Sequence, residues 1–225
     1  MINHSAIRVT LDLPKIYPIT DTCLSGLSHA EQVARLIEGG ASLIQLRDKH
    51  AAPREFYREA AAALKVARDH HARLIINDRV DIALALKADG VHLGQTDMPA
   101  DAARRLLGKE AIIGFSTHNI QQAKLAISFP VDYLAFGPVF QTSTKEKPDP
   151  VTGLSVLREV GALKGSLPLV AIGGITFANA VEVLKAGADT LAVIAELVAI
   201  PAKIAENMSK MLAATSALPN ESSAS

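Results

Sequence analysis

The chain has 225 residues, 49% of them hydrophobic, and its 23 Lys plus Arg balance 23 Asp plus Glu. That length suits one large domain with a sizeable core. Zero formal net charge and the absence of Trp weigh against nucleic acid or an anionic membrane as partner, since both need a basic footprint and nucleic-acid binders add aromatic stacking platforms.

Apolar runs of four to six residues alternate with helical stretches. Lys15 to Thr20 reads as a strand, and Ser28 to Glu38 as a helix opened by a Ser cap. Ser42 to Leu46 is a strand, and Pro53 to His70 a helix with Pro in its first turn. Arg73 to Ile76 is a strand, Val80 to Ala88 a short helix, and Gly90 to Leu93 a strand. Pro99 to Leu107 reads as a helix, Ile112 to Phe115 as a strand, and Ile120 to Ile127 as a helix capped by Asn119. Tyr133 to Phe136 is a strand, and the polar loop Gln141 to Thr152 leads into a helix near Leu154 to Leu163. Leu169 to Ile172 and Thr190 to Val193 are strands, with the helix Phe177 to Lys185 between them. A final helix is expected over Pro201 to Leu212.

Eight strands, each followed by a helix, predict a single α/β domain of the (β/α)₈ TIM-barrel class over residues 13–214, with 1–12 and 215–225 as flexible tails. A doubly wound open sheet fits less well, because no strand is followed by a Gly-rich dinucleotide turn. Cys23 is the only cysteine, so no intramolecular disulfide can form, as in a reducing cytoplasm. No basic-then-apolar leader is evident at the N-terminus, and no apolar stretch reaches the ~20 residues of a membrane span. A cytoplasmic location is therefore expected, and assembly into a homo-oligomer is compatible with the sequence.

Candidate chemistry lies at strand ends. Two strands run straight into a carboxylate, at Asn77-Asp78 and at Gly94-Gln95-Thr96-Asp97. A strand, a helix and a parallel strand would set Asp78 and Asp97 side by side, a ready site for a hard cation such as Mg²⁺. Taken singly, each Asp could instead cap the helix that follows it. After the second strand, Gln45, Arg47 and Lys49 alternate and can share a face suited to an anion; a solvated loop is the alternative. Thr142, Thr144 and Lys145 bring hydroxyl and ammonium donors from a long loop of the kind that often binds or covers a ligand. Gly173-Gly174 ends the seventh strand, where barrels commonly bind phosphate. Ser116-Thr117-His118 follows the fifth strand; His118 suits acid–base work or helps to cap the next helix. His92, inside the fourth strand, reads as a packed, hydrogen-bonded residue.

Tyr-Pro-Ile-Thr-Asp, Gln-Leu-Arg-Asp-Lys, Ile-Asn-Asp-Arg, Asp-Gly-Val-His-Leu-Gly-Gln-x-Asp, Gly-x-Ser-Thr-His-Asn, Gly-Pro-Val-Phe-x-Thr-x-Thr-Lys and Ala-Ile-Gly-Gly-Ile occur in this order. Together they resemble the thiamine phosphate synthase family, over about Lys15 to Ile194. The resemblance implies a transferase that joins hydroxymethylpyrimidine diphosphate to a thiazole ethyl phosphate, or its carboxylate, and releases pyrophosphate. It implies a dissociative reaction, with small phosphorylated molecules as partners and Mg²⁺ as cofactor.

By the same resemblance, Asp78 and Asp97 match metal ligands, and Arg47, Lys49, Asn77 and Lys145 match diphosphate contacts. Gln45 lies by the pyrimidine. Ser116 stands near the reacting groups, and Thr142, Thr144 and Gly174 face the thiazole phosphate. Arg47, Lys49, Ser116 and Lys145 are the residues expected to act in catalysis. After the eighth strand the family usually carries a Ser where this chain has Ile194-Ala195. The backbone amides there remain able to bind phosphate, so weaker binding is expected rather than lost activity. A thiazole tautomerase of the same fold is the nearest rival, and Asp97 and Thr142-Ser143-Thr144-Lys145 speak against it. A non-catalytic phosphate-binding barrel is the rival of another class, supported only by Ala195.

Overall fold

A computed structural model describes residues 11–142, 144 and 149–216. In chain order the elements are β1 (Ile16–Pro18), α1 (Thr22–Ser25), α2 (His29–Glu38), β2 (Leu43–Leu46), α3 (Pro53–Asp69), β3 (Arg73–Asn77), α4 (Val80–Leu86), β4 (Gly90–Leu93), α5 (Ala100–Leu107), β5 (Ile112–Thr117) and α6 (Ile120–Ala126). There follow β6 (Tyr133–Phe136), α7 (Gly153–Leu163), β7 (Leu169–Ile172), α8 (Ala180–Lys185), β8 (Thr190–Val193), α9 (Ala195–Val198), a 3₁₀ turn over Pro201–Lys203 and α10 (Ile204–Ser216).

The boundaries follow local chemistry. Ser28 and Glu31 close a reciprocal capping box on α2, satisfying two of the N–H groups a helix start leaves open. Pro53 opens α3, where its missing N–H costs nothing. Asn119 accepts from the Gln122 N–H and caps α6. The strands β4, β6, β7 and β8 occupy the spans that the apolar runs predict, and α1 and α9, four residues each, are additional.

All strand pairs are parallel, in the order β1-β8-β7-β6-β5-β4-β3-β2. The ring closes through an Ile19–Gln45 bridge and a 2.9 Å bond from the Thr20 N–H to the Gln45 carbonyl. Alternation along each strand makes two cores. Outward residues such as Ile44, Leu46, Leu74, Ile76, Val91 and Leu134 pack under the helices against Val33, Leu36, Phe56 and Leu157. Inward residues Tyr17, Ile19, Leu43, Ile75, Tyr133, Val170 and Ala192 fill the barrel. Each fully buried Leu or Ile contributes roughly 1.5–3 kcal/mol. The rigid ring brings eight strand ends to one face.

Residues 1–10 and 217–225 of the segments read as tails lie outside the described residues, as does Lys145. Thr215 and Ser216, read as the start of the second tail, instead end α10, where the Thr215 hydroxyl donates to the Met211 and Leu212 carbonyls and the Ser216 hydroxyl to the Leu212 carbonyl of the preceding turn. No described helix is long and apolar enough to cross a membrane.

Candidate active site

The strand ends bring the two aspartates together. In register, Ile76 faces Val91 and Asn77 faces His92, so the residues after β3 and β4 emerge side by side. The Asp78 N–H donates to the His92 carbonyl at 2.8 Å. Asp78 adopts φ 61°, a left-handed conformation uncommon outside glycine and often found at functional sites. Its Oδ2 lies 2.5 Å from Lys49 Nζ. Asp97 Oδ2 accepts from the Gly94 N–H at 2.7 Å.

Neither aspartate caps a helix: Arg79 and Pro99 occupy the N-cap positions of α4 and α5, without a side-chain cap bond. The capping alternative is thereby corrected, because both carboxylates are turned to partners outside the helix starts. Burial, together with the neighbouring Asp78 carboxyl, pushes the Asp97 carboxyl above its ordinary range. Two carboxyls crowded together disfavour joint ionisation, and a divalent cation removes that penalty. Mg²⁺ commonly takes one or two carboxylates and completes its shell with water and substrate phosphate oxygens. The oxygen donors Asp78 and Asp97 fit that pattern, and no group of three or more His, Cys, Asp or Glu stands ready for a metal among the described residues.

The anion-binding side is built by the loop after β2. Asp48 Oδ1 accepts from the N–H groups of His50 and Ala51 at 2.9 and 2.8 Å. Burial works against that charge, but these amides hold the carboxyl below its usual range. The bonds curl the loop that carries Arg47 and bring Lys49 against Asp78. Beneath it, buried His29 places Nδ1 2.7 Å from Thr20 Oγ1 and Nε2 3.7 Å from Asp48 Oδ2. Thr20 Oγ1 in turn lies 3.4 Å from the Arg47 amide, which donates to it. Asn77, nearly buried, ends β3 directly before Asp78.

Below the mouth, five polar side chains from five strands form one line. Gln45 Nε2 donates to Tyr17 Oη at 3.1 Å. Tyr17 Oη and Tyr133 Oη are 3.1 Å apart, and Tyr133 Oη and His92 Nδ1 2.9 Å. His92 Nε2 lies 2.8 Å from Ser116 Oγ. The Ser116 carbonyl accepts from Gln95 Nε2 at 2.6 Å. The His92 and Tyr133 rings stack at 5.6 Å. Burial pushes His92 down to about 4, so the ring is neutral at physiological pH. Burial also raises both phenols well above their ordinary value. His92 is thus the packed, hydrogen-bonded residue that its place inside a strand predicts. Its partner Tyr133, and Tyr17 beyond it, are legible in the sequence only as core.

The far wall comes from β6, β7 and β8. Thr142 and Thr144 share a 2.9 Å hydroxyl contact. Gly174 takes φ 63°, and a Cβ there would stand 2.5 Å from the Gln141 carbonyl oxygen, so the β7 turn packs directly on the loop after β6. Asn179 Nδ2 donates to the Gly174 carbonyl, and the Phe177 N–H to Glu196 of α9. Ile194 is the N-cap of α9 and Ala195 its first residue. A short helix after β8 presenting its N-terminus beside the β7 turn is a recurrent barrel phosphate site. The segment Thr142–Gly174–Ala195 has that form.

His118 Nδ1 is 2.7 Å from the Gly137 carbonyl and 3.6 Å from Asp149. Asn119 is the cap of the following helix, and the His118 N–H donates to Gln122 Oε1 in its first turn at 2.7 Å. A separate concavity of about 800 Å³, lined by Arg73, Ala88, Asp89 and Ile112, lies at the strand starts and away from this chemistry.

Residues 16–197 match the family described as Thiamine monophosphate synthase. Thiamine-phosphate synthase of Methanospirillum hungatei is 45% identical over 187 residues, covering 83% of this chain and 90% of that protein. The thiamine-phosphate synthase of Methanocella arvoryzae is 48% identical over 184 residues, covering 81% and 86%. The solved thiamine phosphate pyrophosphorylase from Pyrococcus furiosus superimposes with a TM-score of 0.80 at 37% identity, covering 90% of this chain and 95% of that one.

Proposed function

Because the chain belongs to the thiamine monophosphate synthase family, we propose that it is a thiamine-phosphate synthase joining hydroxymethylpyrimidine diphosphate to a thiazole ethyl phosphate, plain or 2-carboxylated, with release of pyrophosphate. The observation that carries the reading is the convergence of one carboxylate pair, one cationic loop and one phosphate-type turn on the same face of the barrel. A diphosphate leaving group and a second phosphorylated substrate need those three features together.

In this reading the diphosphate rests between Arg47, Lys49 and Asn77, with Asp78 and Asp97 holding Mg²⁺ against it. Bound there, Mg²⁺ would supply neutralisation of the leaving-group charge. Cleavage of the bond between the pyrimidine methylene carbon and the diphosphate oxygen leaves the electron pair on pyrophosphate and a cation on the carbon. Arg47 and Lys49 lower that barrier because charge grows on the oxygens they face. The thiazole nitrogen then donates its pair to the carbon. No side chain has to act as nucleophile. The protein orients the two substrates and keeps water from the cation. Thr142, Thr144, Gly174 and the amides of Ile194 and Ala195 hold the thiazole phosphate, and Lys145 completes the diphosphate side.

The test is product identity. Purified protein given both substrates with Mg²⁺ should form thiamine phosphate and pyrophosphate one for one, and neither substrate alone should turn over. Isomerisation of a thiazole phosphate with no pyrophosphate would assign the chain to the tautomerase reaction instead.

A further inference from the structure

The line from Gln45 to Ser116 has a direction. Each phenol offers one hydrogen and a neutral imidazole offers one N–H. The structure aims Gln45 Nε2 at Tyr17, so Tyr17 Oη is an acceptor there and sends its own hydrogen to Tyr133. Tyr133, accepting from Tyr17, sends its hydrogen to His92 Nδ1. A neutral ring that accepts at Nδ1 carries its hydrogen on Nε2 and donates to Ser116 Oγ. Tyr17, Tyr133 and His92 then each accept once and donate once, with Gln45 the donor at one end and Ser116 the acceptor at the other. It leaves two groups uncommitted: the Gln45 carboxamide oxygen with its second N–H, and the Ser116 hydroxyl hydrogen. Turning the Gln45 amide over would reverse all four bonds together, so polarity is a single variable.

A second observation shows that the fold makes room for this line. Gly114 sits in the middle of β5, between its register partners His92 and Tyr133. A Cβ at Gly114 would stand 2.0 Å from Tyr133 Cζ and 2.3 Å from its Oη. A mid-strand glycine weakens a strand; here it lets the phenol cross to His92.

We propose that Tyr17, Tyr133 and His92 are positioning residues that fix the polarity of two walls of the substrate cavity, Gln45 presenting an acceptor beside an N–H and Ser116 presenting a donor, and thereby select an aminopyrimidine over its oxo counterpart. The selection rests on the synthase reading; the polarity does not. A carboxylic amide with a free oxygen and N–H matches an amino group next to a ring nitrogen. Against an oxo group next to a ring N–H it meets acceptor with acceptor and donor with donor. Unpaired polar groups in a buried site discriminate strongly.

The first test is nitrogen NMR of the substrate-free protein with ¹⁵N-labelled histidine, the His92 signals being identified by their loss in His92→Gln. The expected state at neutral pH is hydrogen on Nε2 and a bare Nδ1. Any other protonation pattern overturns the polarity, whatever reaction the protein catalyses. In Tyr133→Phe the donor to Nδ1 is gone, and the tautomer preference should weaken; an unchanged tautomer means the line does not set it and overturns the proposal. The second test compares the aminopyrimidine diphosphate with its oxo analogue as substrates. Tyr17→Phe should lower the kcat/KM preference for the amino form about tenfold or more, the loss expected for one hydrogen bond, with the KM for thiazole phosphate unmoved. A Tyr17→Phe enzyme that discriminates as well as the parent overturns the selective role, and a parent without synthase turnover fails the reading beneath it while leaving the NMR result standing.

Discussion

Lys49 Nζ and Asp78 Oδ2 stand 2.5 Å apart, an ammonium from the loop after β2 bonded to a carboxylate at the end of β3. The same carboxylate is half of the expected cation site and the same ammonium an expected diphosphate contact. Before substrate arrives, the lysine competes with a cation for Asp78. Lys49→Met should therefore raise the affinity of the free protein for Mg²⁺ while lowering turnover. Calorimetric Mg²⁺ titration without substrate checks the first part and a steady-state assay the second. Weaker Mg²⁺ binding in the variant would show that the pair is structural.

Acid should destabilise the fold through its buried imidazole. His92 is pushed down to about 4 by burial, against about 6.5 for an unfolded chain. The unfolded state thus binds the extra proton first. Stability is fully present above the unfolded value and falls as pH drops from about 6.5 toward 4, by roughly 3 kcal/mol at most from this group. Denaturant melts across that window should show the decline. His92→Gln should flatten it, and an equal slope in the variant would remove His92 as its source.

Lys145 lies outside the described residues, so its role rests on the family pattern. Lys145→Ala should slow the single-turnover rate by one or two orders of magnitude, as roughly expected for losing a cation that faces developing charge. It should change the KM for thiazole phosphate much less. Rapid-quench measurement decides, and an unchanged single-turnover rate would take Lys145 off the diphosphate.

Ala195 begins α9, whose Glu196 accepts from the Phe177 N–H after the Gly174 turn. Ala195→Ser adds a hydroxyl where the phosphate is expected, and the KM for thiazole phosphate should fall or stay the same. A clear rise would mean that the phosphate sits elsewhere.

Four strands are legible to the residue: three short apolar runs are bounded on both sides by Gly, Asp or Pro, as Gly90–Leu93 is by Asp89 and Gly94, and Thr190–Val193 is bounded by Asp189 at its start. Carboxylate placement was legible for a related reason: a strand–helix–strand unit fixes which ends are neighbours. The four-residue α1 and α9 were not, since so few residues show no period. Nor was the helical start at Ala180 rather than Phe177, because Thr176 and Asn179 form a turn ahead of it. Least legible was the Gln45–Ser116 line. Tyr17 and Tyr133 are 116 positions apart, and inside apolar strands a phenol reads as bulk until the register reveals what its hydroxyl meets.

The proposed reaction needs Asp78 and Asp97 to serve a cation at the departing diphosphate. The most direct measurement is the Mg²⁺ dependence of pyrophosphate release, in the parent and in Asp97→Asn. The parent should show no release in chelator and saturable activation by Mg²⁺. The variant should be a folded protein whose activation needs at least tenfold more Mg²⁺, roughly the cost of weakening one charged ligand, with lower maximal turnover. Release that persists in chelator, or a variant that turns over normally at limiting Mg²⁺, would contradict this role of the pair.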